Sequence, residues 1–106
     1  MNDDMLILTD HEGRSVRLTA ERQSHIREHP ELADQLDRIR ETLADPILIV
    51  ATHADENVWV YHRYYASTPV TSKYLLVVVK IMEADAFVLT AFFSSRQKKG
   101  IPVWRA

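Results

Sequence analysis

Tyr74-Leu75-Leu76-Val77-Val78-Val79 is the stretch that decides the architecture. Six consecutive apolar residues, three of them β-branched, leave no polar face for water. The segment therefore reads as a strand covered on both sides and central in a sheet. Working outward, residues 73–82 and 87–93 flank Glu83-Ala84-Asp85-Ala86 and read as an antiparallel hairpin. Residues 47–51 and 58–65 flank Ala54-Asp55-Glu56-Asn57 and read as another, joined to the first by the polar loop 66–72. The tail 98–104 reads as loop, closing on an edge strand at Val103-Trp104.

Strand parity then sorts side chains by face. A hairpin regular about residues 54–57 puts Val50, Thr52, Trp59, Tyr61 and Arg63 on one side. Ile47, Ile49, Val58, Val60 and His62 fall on the other. The second set is the more core-like, which makes Trp59, Tyr61 and Arg63 the expected working surface. In the second hairpin, regular pairing puts Lys80 and Thr90 on opposite faces, and only a bulge would bring them to one site.

Ahead of the strands lie the helices. Thr19 is an N-cap for a helix over residues 20–28, with Gln23 placed to help cap its first turn. In Arg22-Gln23-Ser24-His25-Ile26-Arg27-Glu28-His29-Pro30-Glu31, Pro30 disfavours helical geometry at His29 and suits the first turn of a second helix. Leu32, Leu36, Ile39 and Leu43 recur at spacings of four, three and four, one apolar helix face, until Asp45-Pro46 ends it. At the front, residues 5–9 and 15–18 form a small hairpin about Asp10-His11-Glu12-Gly13, with Gly13 at positive φ. The expected fold is α+β: an N-terminal β-hairpin and two helices packed on a four-stranded antiparallel sheet. Residues 1–106 form one domain.

Composition narrows the function classes. With 46% hydrophobic and 26% charged residues the chain is an ordinary globular one. The absence of cysteine excludes disulfides and thiolate metal sites. No apolar run approaches the length of a membrane span, and the acidic start Met1-Asn2-Asp3-Asp4 lacks the form of a signal peptide, so a cytoplasmic location is the expectation. The formal net charge is −2, so any binding to nucleic acid must come from a local patch. Arg96, Lys98, Lys99 and Arg105 form one at the C-terminus, while acids concentrate in the first half.

Asp10-His11-Glu12-Gly13-Arg14, Leu18-Thr19-Ala20-Glu21-Arg22, His25-Ile26 and His29-Pro30-Glu31 follow one another in an order that resembles phage-associated nuclease-like domains. Downstream, Tyr61-His62-Arg63, Val77-Val78-Val79-Lys80, Phe87-Val88-Leu89-Thr90-Ala91-Phe92 and Lys98-Lys99-Gly100 with Trp104 continue the likeness. These domains belong to the barnase–EndoU–colicin E5/D–RelE superfamily. The resemblance spans about residues 5–104, with short motifs whose order is the stronger signal. It implies RNA cleavage by 2′-hydroxyl attack on the adjacent phosphate, with neither metal nor other cofactor. His25 would be the proton-transfer group, Arg63 and Lys80 phosphate or transition-state contacts, and Thr90 a hydrogen-bonding partner. RNA is the implied partner, with an antitoxin or immunity protein and a homodimer as further expectations.

Each candidate has a plain structural alternative. His25 suits general acid–base work because histidine titrates near neutral pH, but a helix-face histidine can equally be structural. His25 and His29, four apart, are a weaker candidate metal pair, with no third ligand evident. Arg63 between Tyr61 and Tyr65 can grip a phosphate beside stacking aromatics, or simply pair with an acid. Lys80 interrupts an apolar strand, where an unpaired lysine is costly. Thr90 is also an ordinary strand residue. Arg96, Lys98 and Lys99 are a candidate phosphate patch or a solvated loop. His11, His53 and His62 read as turn or surface residues. The competing function is a binding module that keeps the nuclease fold without its chemistry.

Overall fold

The structure is a computed structural model describing residues 5–71 and 73–106; the acidic start and Ser72 lie outside the described residues. Its order is β1 (Leu6–Thr9), β2 (Ser15–Leu18), α1 (Ala20–Arg27), a 3₁₀ turn (Pro30–Leu32), α2 (Leu36–Ala44), β3 (Leu48–Ala51), β4 (Val58–Tyr65), β5 (Lys73–Met82), β6 (Asp85–Ser94) and β7 (Ile101–Arg105). The α+β class is as expected. The sheet, however, has seven strands rather than four, in the order β1-β2-β6-β5-β4-β3-β7. The antiparallel meander β3–β6 is the expected sheet. The front hairpin joins it through a parallel pairing of Arg17 with Phe87, and β7 joins at the other side along β3.

Local chemistry explains the helix ends. Thr19 accepts a hydrogen bond from the Arg22 N–H, and the Gln23 amide donates to the Leu18 carbonyl. Pro30 starts a single 3₁₀ turn rather than α2 itself, which begins at Leu36. Leu32, Ile39 and Leu43 are nonetheless buried together, with Leu36 packed against them. Gly13 takes the expected positive φ, 84°.

Two pairing details set the faces. In the first hairpin Thr52, not His53, closes the loop: its N–H donates to the Val58 carbonyl at 2.9 Å, and its hydroxyl bridges the Asp55 carbonyl and N–H. The loop is one residue longer than a regular pairing about residues 54–57 requires, so Ile49 pairs with Tyr61 and Val50 with Val60. A one-residue offset exchanges faces, because side chains alternate with period two. Trp59 and Tyr61 therefore turn into the helix-covered core with Ile49, Val77 and Leu43, correcting their assignment to a working surface. In the second hairpin Val79 pairs with Val88 but Val78 with Thr90, leaving Leu89 as a bulge. That bulge carries Thr90 to the face of Lys80.

Among the described residues, the second face carries no helix. Its buried strip is Leu48, Val50, Val60 and Leu76, and the connection 95–100 from β6 to β7 packs on its Leu48 and Val50 end and bonds to His62 beside it. Gly100 makes the crossing close: a Cβ there would run into the Ala51 carbonyl oxygen and the Val50 side chain. Replacing Gly100 by Ala should destabilise the protein by about 1–3 kcal/mol, as overpacking of a close contact does. The urea midpoint should fall with the m-value unchanged; an unaltered midpoint would mean that the connection can lift at no cost.

Candidate nucleic-acid interface

The sequence-derived candidates divide between the two faces. Arg63 lies on the helix-covered side, where its guanidinium donates to the Asp45 carbonyl at 2.7 Å and to the Asp45 carboxylate at 3.1 Å. Glu41 is 3.6 Å away. An arginine on the last carbonyls of a helix is a common terminal device, and Arg63 ties α2 to β4 in this way. Tyr65, beside it, donates to Glu41 at 2.6 Å; burial, helped by that carboxylate, pushes its phenol up to about 12.

Tyr61, a candidate RNA contact, is fully buried and donates to the Asp10 carboxylate at 2.7 Å. No base can stack on it, and this corrects the expectation. Asp10 accepts from the N–H groups of Glu12 and Arg14 at 3.0 and 2.9 Å, and from the Arg14 guanidinium at 2.6 Å. That guanidinium lies over the Trp59 ring, 4.9 Å from its centroid. Burial raises the Asp10 pKa, but the Tyr61 hydroxyl, the two N–H groups and the Arg14 charge outweigh it, and the net shift is downward. Burial and the neighbouring carboxylate push the Tyr61 phenol up. The turn residue His11 is half-buried rather than at the surface, its ring 4.6 Å from that of Trp104.

His62, read as a turn or surface residue, is wholly buried on the helix-free face. His25 stands exposed on α1, in a shallow depression with Glu21, Arg22, Ser24 and Glu28. Its ring lies edge-on to His29 with centroids 6.1 Å apart; among the described residues no three His, Asp or Glu side chains group to hold a metal ion. Arg22, one turn earlier on the same helix, makes a long 3.4 Å bond to the carbonyl of Leu89, the bulged residue next to Thr90. The helix that carries His25 is thereby docked against β6.

The helix-free face gathers the remaining candidates. Lys80, half-buried, holds Asp55 at 2.7 Å, and Thr90 lies one row away beside Val78. Tyr64, Tyr74 and Phe92 share this face; Tyr64 and Phe92 are well exposed, and the two tyrosine rings meet edge-on at 5.1 Å. The connection from β6 to β7 brings Arg96, Lys98 and Lys99 across it and β7 adds Arg105, with no acidic residue from Ser94 to Ala106. Among the described residues these four form no salt bridge. Arg14, Arg17, Arg63 and Lys80, by contrast, are each matched to a carboxylate. Uncompensated cations beside exposed aromatic rings are what a single-stranded polyanion with stacking bases requires. Comparison with protein families, curated proteins and solved structures finds no match, and among the described residues no helix is long and apolar enough to cross a membrane.

The Asp10 cluster yields a test of its structural role. Tyr61→Phe should cost about 1–3 kcal/mol at neutral pH, since a buried carboxylate loses a donor. Asp10 is held below its unfolded value, so its contribution is present above that value and is lost as pH falls through the folded one. The gap in urea midpoint between wild type and variant should therefore narrow from about pH 7 to about pH 3. A constant gap would show that Tyr61 acts through packing alone.

Proposed function

We propose that this protein is a metal-independent ribonuclease whose working surface runs from the helix-free face of the sheet to α1, where that helix packs against β6. The observation that carries the reading is the Leu89 bulge. It turns Thr90 to the side of Lys80 at the same point where Arg22 ties α1, the helix that carries His25, to β6. In this scheme His25 takes the proton from a ribose 2′-hydroxyl. The 2′-oxygen bonds to phosphorus, the bond to the 5′-oxygen breaks, and that oxygen receives a proton, leaving a 2′,3′-cyclic phosphate. Lys80 and Thr90 face the phosphorane oxygens, where preset charge and hydrogen bonds act most strongly in the transition state. Lys98, Lys99 and Arg96 take the flanking phosphates. Arg63 has no part, because Asp45 and Glu41 hold it on the other face.

A second reading, a binding module that keeps the fold without the chemistry, is favoured by one contact: Asp55 already neutralises Lys80. The two separate in one assay. Purified protein in EDTA should cleave mixed cellular RNA to products with cyclic phosphate ends. His25→Ala, folded to the same degree, should lose about 10²–10⁴-fold in rate, the usual worth of a positioned proton-transfer group. Cleavage undiminished in the variant removes His25 from the mechanism. A folded wild type that cleaves nothing, yet binds RNA with an affinity falling steeply as salt rises, marks the binding module.

A further inference from the structure

His62 has its hydrogen bonding dictated from both sides. Nδ1 lies 3.2 Å from the Leu48 carbonyl oxygen and 3.1 Å from that of Val60, so this nitrogen carries the proton and donates. Nε2 accepts the backbone N–H of Lys98 at 2.9 Å, so it must be bare. A ring buried completely, with an acceptor pair at one nitrogen and a donor at the other, is locked as one neutral tautomer. Lys98 sits in the middle of the connection 95–100, the segment that packs on the Leu48 and Val50 end of the strip and presents Arg96, Lys98 and Lys99. Among the described residues, the bond to His62 is the hydrogen bond tying this connection to the sheet between Ser94 and Ile101.

We propose that His62 is a proton-sensitive latch that holds the cationic connection in its phosphate-binding position and releases it on acidification. A proton on Nε2 would set one donor against another at the Lys98 N–H and would place a charge where no water reaches. The surroundings add no relief. The connection brings Lys98 and Lys99, and β7 brings Arg105, which line the same depression as Leu48. On this face β3 offers only Leu48 and Val50, and β4 and β5 offer Tyr64 and Tyr74. β6 offers Phe92, and the Lys80–Asp55 pair lies two rows away. Among the described residues, no carboxylate stands ready to stabilise an imidazolium. Burial accordingly holds the His62 pKa below its ordinary value, the two carbonyls opposing but not reversing the shift. A histidine depressed in the latched state stabilises that state fully above its free value, near 6.5, and loses that contribution as pH falls from there toward the latched value.

The consequence for binding rests on the RNA reading above, whereas the latch itself does not. Acid would otherwise tighten a polyanion, because lowering the pH can only add positive charge to a protein. A loss of affinity on acidification therefore has the sign that the latch alone predicts. The experiment uses the whole ¹⁵N-labelled chain and a 2′-O-methyl oligouridylate, which lacks the attacking hydroxyl. Between about pH 7.5 and about pH 5 the protection factor of the Lys98 amide should fall while those of Tyr61 and Val77 hold, and affinity for the oligonucleotide should weaken about fivefold at constant ionic strength. His62→Gln offers an uncharged acceptor to the Lys98 N–H and should flatten both profiles. Lys98 protection independent of pH in the wild type overturns the proposal, even if the variant fails to fold. Lys98 protection that falls as expected without oligonucleotide binding at any pH upholds the latch and removes RNA as the ligand.

Discussion

The carboxylate of Asp10 is the constraint on which the rest of the arrangement depends. It sits in the turn between β1 and β2, at one margin of the sheet, and is bonded to Tyr61 of β4, four places along the strand order. For those groups to meet, the hairpin must lean across the helix-covered face instead of lying flat beside β6. Arg14 over Trp59 and His11 against Trp104 of β7 extend the same closure to the opposite margin. A buried carboxylate is costly unless its lone pairs are filled, and here four donors fill them. The polar turn thus completes the core that Leu8, Val16 and Leu18 share with α2 and the central strands.

That closure consumes polar groups on one side of the sheet and leaves the other to different chemistry. Asp10, Arg14, Tyr61, Arg63, Tyr65, Glu41 and Asp45 are paired among themselves on the helix side. On the bare side the chain lays down an acid-free segment from Ser94 onward, running across β5, β4 and β3 to reach β7. A net charge of −2 therefore conceals a division: seven acids lie from Glu21 to Asp45, while on the far face Arg96, Lys98, Lys99 and Arg105 have no ion-pair partner among the described residues. Such local excess, rather than overall charge, governs approach to a polyanion within a Debye length of about 10 Å.

Several elements were legible in the residue pattern. The apolar run at Tyr74–Val79 is indeed central, with β4 and β6 on either side. Thr19 caps α1 and Gly13 takes positive φ, because both effects are settled within a few residues. The leucine and isoleucine spacing named the buried face of α2 even though the helix starts four residues after its first leucine, since a 3₁₀ turn keeps Leu32 on the same side. The candidate site was less legible. Lys80, Thr90, Lys98 and Lys99 do come to one side, but Tyr61 and Arg63 do not. His62, which carried no pattern beyond its place between Tyr61 and Arg63, proved to be the buried anchor of the crossing connection. A polar residue flanked by Leu48, Val60 and Leu76 on its own face would have been its signal, had the register been known.

What the sequence by itself determined is whatever short-range physics settles: which segments are strands or helices, where helices are capped, which chemistries lack their residues, and where charge accumulates along the chain. What only the tertiary structure decided is which side of the sheet each strand residue occupies. That choice turns on single residues, the Thr52 hydroxyl that lengthens one loop and the Leu89 bulge that shifts the register of another. With a side-chain period of two, either one exchanges every face beyond it. The register is selected by burial of Trp59 and Tyr61 against distant partners such as Asp10, an energy that no local window of residues contains.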